Sequence, residues 1–531
     1  MNNTQLETII QALNKRPLKN SRQILNIIRQ EAGKFKQPPP PKSALLTAYK
    51  KLITKKQIKI QPALRQFLVK RAVRSLSGVS VITVLTKPFP CPGKCVYCPT
   101  ELIMPKSYLS NEPAAQRALR NQFDPLKMMA ARITALEANG HDVDKIELIV
   151  LGGTWSAYDK KYQTWFITSC FFAANTYGKK KKRKMKSLIE EQKINETAKY
   201  KIIGLTLETR PDHINKNEVK RLRQLGCTRV QLGVQHTDDK ILDYIKRGDT
   251  LQNAIDATRL LKEAGFKVDH HYMPDLPGST PAKDLAMFKY VFSQPDLQPD
   301  QIKIYPTVVN EFAELYNWYK TGKHKPYKEK VLLKLLLDIK KIIPPYVRIN
   351  RLIRDIPKES ITAGNNITNL RQYLQQEAKI QGWSCQCIHC REVRNTAKTT
   401  DKIELVKRTY RASEGTEIFI SFESPDRKKL YAFLRLRFND QSEKNIFPEL
   451  RGASLVRELH VYGQMIPALK LSDLDTKTQH RGLGSKLMAE AEKMTKENGL
   501  KKAAVISGIG VKNYYRKLGY KQIGTYMLKN L

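Results

Sequence analysis

Six short runs rich in β-branched residues recur from about residue 78 onward: VSVITVL, IELIVLGG, KIIGLTLE, RVQLGVQ, KVDHHYM and QIKIYPT. Between them lie segments with helical periodicity, DPLKMMAARITALEANG, NEVKRLRQLG, LQNAIDATRLLKEAG and AKDLAMFKYVFS, several ending in Gly as helix carboxyl ends prefer. Strand and helix in strict alternation imply parallel strands joined by right-handed crossovers, so the fold class is α/β. Six βα units fall two short of a closed eight-stranded barrel, and the expectation is a partial (βα)6, TIM-like barrel. An open doubly wound sheet is the structural alternative. Either one gathers ligands at the carboxyl ends of its strands, where the unusual motifs of this chain sit.

The 531 residues suggest about three domains. Residues 1–75 read as a basic helical region: TQLETIIQALNKR and SRQILNIIRQEAG carry apolar residues at three- and four-residue spacing, with Asn20 or Ser21 able to cap the second. The run Pro38 to Pro41 cannot continue a helix, and Lys50, Lys51, Lys55, Lys56, Lys59, Lys70, Arg71 and Arg74 follow it. Residues 76–380 hold the barrel, 381–399 a cysteine-bearing linker and 400–531 a second α/β unit with strand-like EIFISFE, KLYAFLRLRF, SLVRELHVYG and KKAAVISG. Ninety-four Lys and Arg against 50 Asp and Glu leave a net charge of +44. Such a charge favours a polyanionic partner such as nucleic acid, although a basic surface also suits acidic protein tails. The amino terminus has no charged and then apolar leader pattern, and no stretch approaches roughly 18 consecutive apolar residues. The expectation is therefore a soluble, cytoplasmic protein without membrane contact.

Eight cysteines are too few for a disulfide scaffold, and six of them cluster. Cys91, Cys95 and Cys98 follow the first strand in CPGKCVYCP; Cys385, Cys387 and Cys390 form SCQCIHCRE. Iron–sulfur clusters normally take four cysteines, so a CxxxCxxC triplet suggests a 4Fe-4S cluster with one iron left open for a ligand. A zinc knuckle with a distant fourth ligand is the other reading. The second triplet, CxCxxC, also lacks a fourth ligand, since His389 sits beside Cys390 with poor reach.

Other strand ends carry chemistry. Gly152 and Gly153 close the second strand and permit close backbone approach; Glu208 and Arg210 of ETRPD end the third with a carboxylate and a guanidinium, a spacing that more often marks a structural ion pair. Gln235 and His236 end the fourth, and His270 and His271 precede the turn after the fifth, so that four polar strand ends are expected to face one mouth. In the second α/β unit, the QxxGxG loop of Gln479, Gly482, Leu483 and Gly484, with Ser485 behind it, leads into an amphipathic helix whose amino end suits a pyrophosphate. Tyr514 and Tyr515 follow in GVKNYYRKLGY, where a phenol can protonate a leaving thiolate or merely pack in a terminal helix.

CPGKCVYCP after a barrel strand resembles the radical S-adenosylmethionine superfamily, whose cluster holds S-adenosylmethionine (SAM) on its open iron and yields a 5'-deoxyadenosyl radical. The resemblance implies that Gly152 and Gly153 meet the SAM amino group, with the Glu208 carboxylate and the Arg210 guanidinium candidates for SAM's charged ends and Gln235 a further cofactor-binding candidate at the same mouth. The loop Gln479 to Gly484 between LVRELHVYG and AAVISG resembles the GNAT acyltransferases, which hold acetyl-CoA in this way. A chain with both, in the order DVDKIELIVLGGT, ETRPD, GVQH, KIYPT, CIHCREV, RELHVYG, QHRGLG and ISGIGVKNYYRKLGY, resembles the catalytic Elongator subunit family over nearly its whole length. It departs from that family in small ways: Trp155 stands where Phe is usual, and Lys179 to Lys182 enrich a loop.

That resemblance implies an enzyme forming a carboxymethyl group at C5 of the wobble uridine in the tRNA anticodon loop from acetyl-CoA and SAM. By motif it places Lys145, Glu458, Leu459, His460, Val461 and Tyr515 around acetyl-CoA, Leu483, Gly484 and Ser485 at the pyrophosphate, and zinc on Cys385, Cys387 and Cys390. Lys145 is tied to gating the acyl site, and Tyr515 and Tyr514 to the thioester end. A protein lysine acetyltransferase with a structural Fe-S domain is the alternative function. The sequence leaves open a homodimer or Elongator-like partner subunits.

Overall fold

A computed structural model of the chain describes residues 1–69, 78–180, 183–393, 401–462 and 482–531. Seven parallel strands form the first sheet in simple sequence order: β1 (Ser80–Leu85), β2 (Lys145–Leu151), β3 (Lys201–Thr209), β4 (Arg229–Gln235), β5 (Lys267–Tyr272), β6 (Gln301–Ile304) and β7 (Arg348–Arg351). Unbroken order with helical crossovers keeps the helices on one face, and the sheet curls around its other face as a partial barrel. The expected count of six units is thus corrected to seven. The missed strand, RINR, is four residues long with an arginine at each end and no β-branched run, so it reads as loop.

Side-chain alternation decides what the barrel can hold. On β2 the residues Ile146, Leu148 and Val150 are buried beneath the helices, while Glu147, Ile149 and Leu151 face inward. β6 repeats this with Ile302 and Ile304 outside, Gln301 and Lys303 inside. The outer face is therefore apolar and packed, and the inner face sets charged side chains among apolar ones. A closed barrel usually fills its interior with branched apolar side chains; here the interior stays open.

The second sheet runs β8 (Glu404–Arg411), β9 (Gly415–Glu423), β10 (Leu430–Asn439), β11 (Ala453–Val461), β12 (Lys502–Val505), β14 (Tyr526–Asn530) and β13 (Lys521–Ile523) in spatial order. Only β11 and β12 pair in parallel, over Ala453–Val456. Beyond that point the two strands part while β11 stays paired with β10, which opens a cleft beside Glu458 to Val461. The helix Leu483–Glu497 covers this sheet.

The two sheets meet at the amino-terminal end of the barrel strands. Gly508 lies against β3 so closely that a Cβ there would stand 1.9 Å from the Ile203 carbonyl oxygen, which accounts for glycine in ISGIG. A buried ionic clamp spans the joint: Arg457 binds Asp300 (3.0 Å) and Glu417 (3.0 Å), Arg435 binds Glu458 (3.0 Å), and Lys262 approaches Glu417 (3.7 Å). Every member has an opposite partner, as buried charge requires.

At the amino terminus four helices, Asn3–Asn14, Ser21–Lys34, Lys42–Thr54 and Pro62–Leu68, share a core of their own. Asn20 caps the second by accepting from the Gln23 amide at 2.9 Å. Lys50 donates to the Glu137 carbonyl (2.8 Å) and Arg65 pairs with Asp142 (2.7 Å), which ties this bundle to the barrel. Lys70, Arg71, Arg74, Lys181 and Lys182 lie outside the described residues. Among those described, no helix is long and apolar enough to cross a membrane.

Candidate functional site

One cavity of about 930 Å³ is lined by both sheets. Tyr97, Gln235, Met273 and Tyr305 border it at the carboxyl ends of the barrel strands, and His460, Tyr514 and Tyr515 border it in the second domain. The open interior of the partial barrel connects the two ends.

The cysteine loop lies at the carboxyl-end mouth. Cys91 Sγ contacts Thr154 Oγ1 at 3.5 Å, which brings the loop onto the Gly-Gly-Thr turn after β2. Cys95 is buried and receives the Arg247 guanidinium at 3.7 Å. Burial and the neighbouring Cys95 push the Cys98 thiol up to about 12, so this sulfur gives up its proton readily only to a metal. Three thiols on one loop with a cation behind them suit an iron–sulfur cluster with one open site.

Gly152 has φ +140°, and a Cβ on it would stand 1.7 Å from Thr86 Oγ1; Gly153 has φ +83°. No side chain fits at Gly152, so the β2 end can lie against Thr86, where the chain leaves β1 for the cysteine loop. Gln235 is a non-glycine residue at φ +72°, where the β4–β5 pairing shifts register, and its side chain faces the cavity. Strain held at a strand end is typical of sites that must aim one side chain.

The expectation of four polar strand ends facing one mouth is only half met. Glu208 and His271 face the cavity, and Glu208 accepts from the Tyr108 hydroxyl at 2.9 Å. Arg210, beyond the end of β3, turns away to Asp212 (2.7 Å) and to the Arg247 and Gly248 carbonyls, with its guanidinium behind Gly93. It braces the cysteine loop from behind. His236 is buried against Asp284 (3.5 Å), and His270, on the helix-facing side of β5, contacts Thr258 (3.0 Å) and Tyr272 (2.9 Å). Alternation explains the split: His270 and His271 are adjacent on one strand and must point to opposite faces.

At the other end, His460 lies tilted beside Tyr462 (4.3 Å) and stacks over Phe433 (5.8 Å), and burial pulls it down to about 4, so its imidazole is neutral. Leu459 also lines the cavity, and Val461 lies beside Gly484. Gly482 precedes the helix in a left-handed conformation (φ +66°), and Gly484 faces the Tyr514 hydroxyl. Ser485 hydrogen-bonds Tyr514, and burial raises both Tyr514 and Tyr515. Gln479 lies outside the described residues. Lys145 begins β2 on the same face as Glu147, at the end nearest the second domain.

The interior between the two ends was not singled out in the sequence. Glu147 pairs with Arg229 (2.5 Å), Lys267 with Glu458 (3.6 Å), and Lys303 donates to Gln231 (2.7 Å). The available signal was a charged residue at alternate positions of an otherwise apolar strand, as in IELIVL and QIKIY.

Away from the cavity, the sulfurs of Cys385, Cys387 and Cys390 lie within 4.8 Å of one another, spacing suited to a single ion. Among the described residues no fourth His, Cys, Asp or Glu joins them. His389 turns toward Glu392 (3.4 Å), while Lys340 (3.9 Å) and Gln375 (3.5 Å) approach Cys390.

A curled parallel sheet with a three-cysteine loop at its carboxyl end defines a radical SAM protein. Accordingly residues 90–290 match the Radical SAM superfamily, and 299–380 match the Radical SAM C-terminal domain. The chain is 45% identical over 478 residues to a tRNA uridine(34) acetyltransferase of Methanocaldococcus infernus, covering 87% of this chain and 88% of that one. It is 38% identical over 479 residues to Elongator complex protein 3 of Homo sapiens, covering 87% and 86%. A solved structure, the Methanocaldococcus infernus Elp3 lacking residues 1–46, superposes with TM-score 0.72 at 41% identity, covering 86% of this chain and 99% of that one. The chain belongs to the family of tRNA uridine(34) acetyltransferases and Elongator complex protein 3.

Proposed function

We propose that this chain is a cytoplasmic enzyme that builds 5-carboxymethyluridine at the wobble position of tRNA, taking the two-carbon unit from acetyl-CoA and using SAM as radical source. The observation that carries this reading is the single cavity reaching from the cysteine loop to Tyr514 and Tyr515. Two cofactor sites in one chain are explained only if their reactive ends can meet.

Cys91, Cys95 and Cys98 would hold a 4Fe-4S cluster, with Arg247 countering the thiolate charge beside Cys95. When bound, the cluster with SAM supplies one-electron cleavage of the sulfonium and so a hydrogen-abstracting adenosyl group. By the family resemblance the backbone at Gly152 and Gly153 would meet the SAM amino group, and Gln235 offers its amide at the same mouth. The amino end of helix Leu483–Glu497 receives the CoA pyrophosphate, and the cleft where β11 and β12 part admits the pantetheine arm. Lys145 gates the acyl site, and Tyr514 or Tyr515 donates a proton to the departing sulfur. The barrel interior orients the acetyl group and limits water around it. Cys385, Cys387 and Cys390 would hold a zinc ion, which would supply a structural tie for the linker between the domains. Anionic tRNA meets a chain of charge +44.

Anaerobically reconstituted protein, incubated with tRNA, SAM, dithionite and labelled acetyl-CoA, is expected to place label in 5-carboxymethyluridine after digestion. Label on protein lysines alone establishes the acetyltransferase reading instead.

A further inference from the structure

The linker between the domains forms part of the cavity wall at the amino ends of the barrel strands, opposite the mouth that holds the Cys91 loop. Its short helix, Ile388–Arg391, presents two faces. Cys387, just before the helix, and Cys390 within it turn toward Cys385, while Ile388, His389, Glu392 and Val393 line the cavity. Backbone bonds tie the linker to both domains. The Ile388 amide donates to the Val347 carbonyl (3.0 Å) just before β7, and the Val393 amide to the Leu430 carbonyl (3.0 Å) at the start of β10. Whatever fixes the three sulfurs therefore fixes this wall.

Arg348, the first residue of β7, joins that wall to the acyl end. Its guanidinium pairs with Glu392 (2.9 Å), donates to the Tyr462 hydroxyl (3.0 Å) and lies 3.4 Å from His389 Nδ1. Tyr462 is buried, and its ring centre lies 4.3 Å from that of His460 and 6.2 Å from that of Phe433. A guanidinium carries five donors in a rigid fork, so one side chain can hold a carboxylate of the linker and a phenol of the second domain in a single geometry.

We infer that Arg348 is a positioning residue for the acetyl-CoA end, and that through it a metal on Cys385, Cys387 and Cys390 sets acyl-CoA affinity. This rests on the proposed acetyl-CoA site beside His460. With the sulfurs held on one ion, the helix fixes Glu392, Glu392 fixes the guanidinium, and the guanidinium fixes Tyr462 and the ring that lies against His460. Loss of the ion loosens the turn from Cys385 to Cys390 and with it the station of Glu392. The linker stays attached, because Arg391 still donates to the Pro345 carbonyl (2.6 Å) and pairs with Glu423 (2.9 Å). Binding free energies are reciprocal, so acetyl-CoA must in turn tighten the metal. An ion pair with a merely structural role behaves otherwise: its removal weakens acetyl-CoA binding by one factor, whether or not metal is bound.

The test uses the full chain and two titrations. One measures acetyl-CoA affinity for zinc-loaded and chelator-stripped protein; the other measures zinc affinity against a chromogenic chelator, with and without saturating acetyl-CoA. Wild type is expected to bind acetyl-CoA about tenfold more tightly when loaded, and to hold zinc about tenfold more tightly with acetyl-CoA present. In R348M both ratios are expected to fall to about twofold or less, while its loaded form binds acetyl-CoA about tenfold more weakly than loaded wild type. E392Q and Y462F, which each remove one partner of the guanidinium, are expected to give ratios between the two. Thermal melting is followed in parallel, and should R348M melt early, E392Q and Y462F carry the test, since each alters a single polar group. Ratios in the variants equal to those of wild type overturn the relay, as does a wild-type ratio near one in either titration. Wild type that binds no acetyl-CoA at any zinc occupancy overturns the acetyl-CoA reading itself, and the relay with it; wild type that binds acetyl-CoA without coupling overturns the relay alone.

Discussion

The two cysteine triplets of this chain have the same composition and opposite geometry. Cys385, Cys387 and Cys390 close to within 4.8 Å of one another, whereas Cys91, Cys95 and Cys98 do not close to that distance and each meets different neighbours along one loop. A single ion draws sulfurs together; a four-iron cube holds its cysteines apart at its corners. The tight triplet sits in the packed linker beneath helix Leu370–Ile380, while the spread one borders the cavity mouth. Spacing in sequence, CxCxxC against CxxxCxxC, was the first sign of this difference.

The largest expected effect falls on the spread triplet. Cys95→Ala is expected to abolish tRNA modification, more than 100-fold, while acetyl-CoA affinity stays at the wild-type value; surviving modification would remove the radical route. Changing the tight triplet should strike stability instead. Cys387→Ser, measured by denaturant unfolding and metal content, is expected to lose bound zinc and cost on the order of 2–5 kcal/mol. A variant that keeps its stability breaks the contrast between the triplets.

Gly152→Ala probes the support of the spread loop. Its Cβ would intrude to 1.7 Å of Thr86 Oγ1 at φ +140°, so about 2 kcal/mol of destabilisation is expected, with loss of iron retention preceding global unfolding. The smallest effect concerns acid. Burial alone would raise Glu458, but Lys267 and Arg435 draw it down to about 2 from its ordinary 4.5. Its contribution to stability is complete above about pH 4.5 and fades as pH falls toward 2. Glu458→Gln should flatten that part of the acid-unfolding curve, and an unchanged curve would show that the ionic clamp does not join the domains.

Much of the barrel was legible because its outer face is apolar at every second residue and its helices carry clear ends. β7 was not, because RINR is short and its one buried residue, Ile349, gives no pattern. In the second sheet, β8 escaped notice because ELVKRTYR alternates half-buried and exposed positions as an edge strand does. The cysteine, glycine and tyrosine positions of the site could be read from local motifs. His236, His270 and Arg210 were misplaced because strand-end chemistry depends on which face a side chain takes: His270 alternates away from His271, Arg210 lies past the end of β3, and the irregularity before Gln235 resets the parity at His236. Lys303 and Glu147 went unmarked because one charge in an apolar strand gains meaning only when six other strands enclose it.

The account rests on the acetyl group reaching the cysteine-loop end of the cavity from the second domain. Trideuterated acetyl-CoA, incubated anaerobically with reconstituted protein, SAM, dithionite and tRNA, tests this through the isotope content of the 5'-deoxyadenosine formed. One deuterium carried into 5'-deoxyadenosine is the expected result. 5'-Deoxyadenosine formed in quantity without deuterium, alongside intact acetyl-CoA binding, would show that the two ends of the cavity do not exchange their contents.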